Sequence, residues 1–236
     1  MNDKHKLSIS LRPGEKLWGW LYMPVYLLFL GPLLESGLTL LDVELGGIRG
    51  QALLNGVYFA VNFLVTLIIF RSFLWLNLRQ IRKRFWGFVQ AVILGLVMYY
   101  VGSLLVNMLI SYILPELCNP NDQYIQEMTQ AASWIMLPGT VILVPFTEEC
   151  LMRGLIFRGS YDRSRISAYI LSVTVFAVIH VLGYLGVVSP LQLAMNFLQY
   201  IPAGIALAWA YEKADSVFAP IVMHCIINAI ATGLSM

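Results

Sequence analysis

The sequence predicts an all-α, polytopic membrane protein with about seven transmembrane helices. Three observations predict it. Hydrophobic residues make up 59% of the 236 and charged residues only 12%, against about 25% charged in a soluble domain. Mean hydropathy is +0.75 over the whole length, and no stretch long enough to fold alone has a soluble composition. Apolar runs also recur at lengths suited to a hydrocarbon core about 30 Å thick, which takes roughly 20 helical residues to cross. Helices are expected because lipid offers the backbone no hydrogen-bond partners.

The elements follow in order. A polar, basic arm, "MNDKHKLSISLRPGEK", precedes the first apolar run. That run continues to Leu34 with no small-x-small cleavage site, so it reads as a retained span and not a signal peptide. The expected spans are 17–34, 52–76, 86–114, 132–160, 166–185, 190–211 and 216–235. Pro138-Gly139 and Pro145 are candidates to kink the fourth.

Orientation follows from lysine and arginine in the loops. Lys4, Lys6, Arg12 and Lys16 lie in the N-terminal arm; Arg71, Arg79, Arg82, Lys83 and Arg84 follow span two; Arg158, Arg163 and Arg165 follow span four. Seven spans put these segments on one face, expected to be cytoplasmic, together with the mixed loop Glu212, Lys213 and Asp215. The opposite loops carry Asp42, Glu44, Glu116, Asp122 and Glu127, with Arg49 alone in opposition. The N-terminus is therefore expected inside and the C-terminus outside, in a multi-pass protein of the cell membrane. The compact chain suggests a bacterial source. A net charge of +2 gives no reason to expect nucleic acid; the lipid bilayer is the expected surrounding partner. Cys118, Cys150 and Cys225 have no framework spacing and read as ordinary thiols.

Polar residues inside the spans are mostly expected to serve packing. Asn55, Asn62 and Thr66 share one helical face, and Asn107, Gln192, Asn196 and Gln199 are read the same way, as interhelical hydrogen-bond formers. Trp75, Trp86, Tyr99 and Tyr112 read as interfacial or packing aromatics.

"FTEECLMRG", residues 146–154, is different. An ionisable residue near the bilayer centre costs about 2.5–3.5 kcal/mol on insertion scales, so two glutamates and an arginine are not lipid-facing decoration. Glu149 and Arg153 are four apart and can pair on one helical face as a structural salt bridge. Glu148 points elsewhere and needs another partner, which marks it as functional. The candidates are His180 in "FAVIH" and His224 in "HCIIN"; His5 lies in the polar arm. Glu148 and His180 lie about 14 and 16 residues from the turn between spans four and five, or roughly 21–24 Å along their helices. His224 and Asn228, one turn apart, reach a similar layer. A carboxylate beside a neutral imidazole can activate water, and a histidine and an amide can donate to an oxyanion. Those groups suit hydrolysis of a peptide or other acyl bond. The same side chains (Glu148, His180 and His224) are also a possible divalent-metal set, zinc for instance, although HExxH is absent. No GxSxG and no intramembrane aspartate pair occurs, so water is the expected nucleophile. Two other readings stay open: a proton- or ion-coupled transporter, since such residues also mark relays, and a catalytically silent membrane regulator.

"EECLMR", "FAVIH" and "HCIIN" resemble the EExxxR, FxxxH and HxxxN motifs of the CPBP family, the CAAX proteases and bacteriocin-processing enzymes also called Abi. The resemblance covers roughly residues 131–233. It divides the chain into 1–130, an arm with three transmembrane helices, and 131–236, a four-helix catalytic core. It implies a glutamate-dependent intramembrane endopeptidase acting on a peptide or membrane-anchored protein, with a cavity open towards the cytosol. Glu148 would be the base, helped by His180; Glu149 and Arg153 would support the site; His224 and Asn228 would stabilise the oxyanion. The family is often labelled metalloprotease, yet the mechanism it implies needs no cofactor. One departure is a chain that stops soon after the third motif, without the eighth span of the longer eukaryotic prenyl-protein proteases.

Overall fold

Pro13, Pro120 and Pro190 open three helices, and the side chains of Asn119, Ser164 and Ser189 cap helix starts. The computed structural model describes residues 7–233; Lys4, His5 and Lys6 of the N-terminal arm lie outside them. Among the described residues there are nine helical segments and no strand. These are α1 (Pro13–Leu40), α2 (Gly47–Ile69), α3 (Arg71–Lys83), α4 (Phe85–Ile113), α5 (Pro120–Ala131), α6 (Ser133–Tyr161), α7 (Arg165–Tyr184), α8 (Pro190–Ala214) and α9 (Phe218–Gly233). Six of them, α1, α2, α4, α6, α7 and α8, are long and apolar enough to cross a membrane. The seventh expected span is the 16-residue α9, about 24 Å long at 1.5 Å per residue and shorter than a full hydrocarbon core.

Two stretches differ from the expected pattern. The run at 52–76 does not continue as one helix: α2 ends at Ile69 and α3 begins at Arg71. The break is held from α1. Glu15 Oε1 accepts the Ser72 and Phe73 backbone N–H groups at 2.9 and 2.8 Å, while its Oε2 accepts the Arg12 N–H at 2.9 Å. One carboxylate thus satisfies orphan donors at the starts of two helices. α3 buries Phe73, Leu74 and Asn77 and leaves Trp75, Leu76 and Leu78 exposed. The second difference is α5, in a stretch expected to be loop: Asn119 caps it through the Asn121 N–H, and Pro120 opens it.

Short connections make successive spanning helices antiparallel. One end of the molecule therefore gathers the start of α1, all of α3, the α6–α7 turn and the α8–α9 turn. Among the described residues this basic end holds 11 of the 13 lysines and arginines, and the other end has Arg49 against six carboxylates, Glu35, Asp42, Glu44, Glu116, Asp122 and Glu127. The basic end is tightly knit. Glu212 accepts from Tyr161, Arg165 and Tyr169, and Asp215 accepts from Ser8 and Gln80. Arg158 donates to the Ile9 carbonyl at 2.8 Å and pairs with Asp162 at 2.8 Å. The Asn77 side chain accepts the Val217 N–H at 2.8 Å, just ahead of α9.

The main core lies between α1, α6, α7, α8 and α9, with residues 149–157 of α6 all buried. α6 and α1 are not uniform α-helices. Wider π turns occur at Val25–Phe29, Gly139–Leu143 and Cys150–Phe157. The first two directly follow Pro24 and Pro138, and such turns often mark functional stretches.

Candidate active site

The π turn at Gly139–Leu143 creates the first feature of the site. There the Val144 N–H bonds the Gly139 carbonyl, five residues back. The next bond of that pattern would run from residue 145 to the Thr140 carbonyl, but Pro145 has no N–H. Asn228 of α9 fills the place, donating from Nδ2 to Thr140 O at 2.8 Å. The break in α6 is thus what ties it to the third sequence motif.

The two adjacent glutamates then part company. Glu149 is fully buried. Its Oε1 accepts from Arg153 Nη1 at 3.1 Å and lies 2.9 Å from His224 Nδ1. Arg153, also fully buried, spends its other terminal nitrogen on the Gly204 carbonyl at 3.1 Å. The guanidinium lies over the Phe176 ring, 4.8 Å from its centroid. Phe176 also packs against both histidines, with centroids 4.5 Å from His180 and 6.0 Å from His224. The phenylalanine of "FAVIH" is therefore the apolar joint between the charged pair and the imidazoles.

Glu148 turns the other way and lines a cavity of about 560 Å³. It is 7% exposed, and its Oε2 has no protein hydrogen-bond partner. His180 Nε2 stands 3.9 Å from that oxygen, too far for a direct hydrogen bond. His180 Nδ1 lies 2.7 Å from the Phe176 carbonyl. A carbonyl only accepts, so Nδ1 carries the proton and the neutral ring offers a lone pair at Nε2. The ring is held flat against Tyr200, with centroids 4.3 Å apart at 30°.

Glu148, His180, His224 and Asn228 all line the cavity; Glu149 and Arg153 stand behind its wall. The six candidates from three motifs are thus brought together, in two layers. Sequence reasoning missed Tyr26. Its hydroxyl donates to Glu148 Oε1 at 3.4 Å, and its ring stacks on Tyr58 at 6.0 Å. It lies in the π turn after Pro24, so the proline inside an apolar run was the available signal. Asn55, Asn62 and Gln199 bond between helices as expected, to Met128 Sδ at 3.4 Å, from the Tyr22 hydroxyl, and from Asn119 at 3.0 Å, and they also line the cavity. Gln192 forms a capping box with Ser189 at the start of α8, with no bond to another helix.

Three protein ligands are the norm for a catalytic zinc site. Among the described residues no three His, Cys, Asp or Glu side chains are grouped closely enough to hold a metal ion. Glu148 and His180 face one another, but no third such side chain is grouped with them among the described residues. As placed, the trio does not form a metal site, and no step below passes through one.

The cavity lining reaches the acidic end, where α5 contributes Asn121, Asp122, Ile125 and Gln126. Tyr200 links the start of α5 to His180. Its oxygen accepts from Asn119 and Asn121 at 3.1 and 3.2 Å and donates to Asp122 at 3.2 Å. Asp122 opens to the cavity but is enclosed on its other sides. That loss of water raises its carboxyl from the usual value, while hydrogen bonds from Tyr200 and Asn121 pull it down. No segment of the basic end lines the cavity.

Comparison with known families decides the class. Residues 130–230 match the family model described as "Type II CAAX prenyl endopeptidase Rce1-like". The chain carries a CAAX-protease-type, Rce1-like region. The matched region is less than half of the chain. It contains Glu148, Glu149, Arg153, His180, His224 and Asn228; Tyr26 lies outside it. No curated protein and no solved structure matches the chain.

Proposed function

We propose that the chain is an intramembrane endopeptidase in which Glu148 and His180 activate a water molecule against a peptide carbonyl. One observation carries this reading: Glu148 Oε2, buried and without a partner, faces the His180 Nε2 lone pair at 3.9 Å on a cavity wall. A single oxygen donating a hydrogen bond of about 2.8 Å to each group spans that gap. Both its protons are then committed, and a lone pair is left for the substrate carbon.

In the attack, the water oxygen bonds the carbonyl carbon and Glu148 Oε2 takes its proton. The developing oxyanion is met from the α9 side of the cavity. Asn228 gives one amide hydrogen to Thr140 and keeps the second for the substrate. His224 points Nδ1 at Glu149, so its imidazolium form donates from Nε2 towards the cavity. Glu149 and Arg153 hold that ring in place. Glu148 then returns its proton to the leaving amine as the C–N bond breaks, and the carboxylate is regenerated. Tyr26 steadies Glu148 Oε1 throughout.

A cleavage assay on a peptide library, with the purified full chain and its Glu148→Gln and His180→Ala variants, tests this. The wild type is expected to cleave library members, with loss of about 10²–10⁴-fold for Glu148→Gln. Equal cleavage by wild type and Glu148→Gln rejects the reading. Activity that disappears with chelator and returns with zinc rejects the metal-free route.

A further inference from the structure

The helix α3 joins two membrane-spanning helices, α2 and α4, and so lies at the bilayer surface. Its inner face packs through Phe73, Leu74 and Asn77. Its outer face is cationic. Arg71, Trp75, Arg79 and Lys83 follow one another at four-residue steps, which puts them on one side of a helix, and Arg82 sits beside them. All five are exposed. The Arg79 guanidinium lies over the Trp75 ring, 4.9 Å from its centroid, so cation and aromatic form one surface.

These cations find no anion within the chain. Four described carboxylates lie at this end of the molecule, and each is engaged elsewhere. Glu15 accepts from the Arg12, Ser72 and Phe73 backbone N–H groups, and Asp162 pairs with Arg158. Glu212 is held by Arg165, Tyr161 and Tyr169, and Asp215 by Ser8, Gln80 and Arg84. Among the described residues no carboxylate lies within ion-pairing distance of Arg71, Arg79, Arg82 or Lys83. Leu76 and Leu78 of α3 and Phe85 and Trp86 at the start of α4 are exposed too. Cations interleaved with leucine and tryptophan suit the boundary between phosphate head groups and acyl chains. A face meant for water alone gains nothing from those apolar side chains.

We propose that the outer face of α3 is a docking surface for anionic phospholipid. The guanidinium groups and Lys83 hold the head-group phosphate, and Trp75 and Leu78 rest against the upper acyl chain. A zwitterionic lipid offers the same phosphate but carries its own ammonium group, so the unbalanced cations select the lipid with net negative charge. The inference stands apart from the peptidase reading and from which side of the membrane α3 occupies.

Trp75 reports on its own neighbours. The full chain is reconstituted in phosphatidylcholine vesicles containing a minor share of phosphatidylglycerol, with bromine on the acyl chains of one lipid or the other. The difference in fluorescence quenching between wild type and Trp75→Phe isolates the signal from α3. Brominated phosphatidylglycerol is expected to quench Trp75 about tenfold more than its share of the bilayer predicts. Quenching by both lipids in simple proportion to their shares overturns the inference. Combining Arg71→Gln, Arg79→Gln, Arg82→Gln and Lys83→Gln, all at exposed positions, is expected to remove the preference, and a preference that survives overturns the assignment to this face. High salt, applied to the unmutated chain, is expected to reduce the preference several-fold, since these charges are open to screening; a salt-independent preference overturns the electrostatic basis. Displacement of the lipid by a soluble polyglutamate peptide of equal charge gives the face to an acidic protein instead and overturns the lipid assignment.

Discussion

Glu212 and Glu148 sit at similar exposure in one bundle, yet their surroundings differ in kind. Glu212, at the basic end, accepts four hydrogen bonds, three of them at 2.6 Å. Glu148, on the cavity floor, accepts one, at 3.4 Å, and leaves an oxygen bare. A buried charge without partners is expensive, so a fold that can supply four donors at one end does not omit them by default at the other. The difference separates charges that hold helices together from a charge kept ready for something that is not part of the chain. Glu149, adjoining Glu148 in sequence, is intermediate: Arg153 and His224 occupy its Oε1, while its Oε2 is buried without a partner.

Four substitutions break or sharpen the contrast. The largest effect on turnover is expected for Glu148→Gln, a loss of about 10²–10⁴-fold with the thermal midpoint in detergent unchanged or raised. A fall in that midpoint would place Glu148 with the structural charges. Arg153→Met leaves Glu149 buried without its cation and is expected to destabilise the fold by about 3–5 kcal/mol, read by thermal unfolding. Glu212→Gln is expected to cost about 1–3 kcal/mol while turnover per folded molecule stays the same; lost turnover in a stable variant would erase the distinction between the two ends. Tyr26→Phe keeps the ring on Tyr58 and removes one long hydrogen bond, so kcat is expected to fall only about two- to fivefold, a few tenths to one kcal/mol of the barrier.

The helices and the candidate side chains were legible because their signals are local. An apolar run of the right length is a spanning helix in almost any context. Glu149 and Arg153, four residues apart, meet at 3.1 Å as helical spacing requires, and the His180 depth, counted from a turn, brought it within 3.9 Å of Glu148. The signals that failed depend on other segments. The end of α2 is fixed by Glu15, more than 50 residues earlier, and α5 is seated by contacts with α2 and Tyr200. Tyr26 reaches Glu148 across 122 residues of chain.

Composition and spacing alone determined that this chain crosses the membrane as helices, which end is basic, and which six residues the three motifs single out. Tertiary structure decided which glutamate faces the cavity, which nitrogen of His180 is free, and that the cavity lining reaches α5 at the acidic end. The physical reason is that lipid enforces helix and hydropathy residue by residue. The direction in which a side chain finds its partner depends on π turns and prolines that rotate one helix against the next, and those rotations acquire meaning only when the helices are packed.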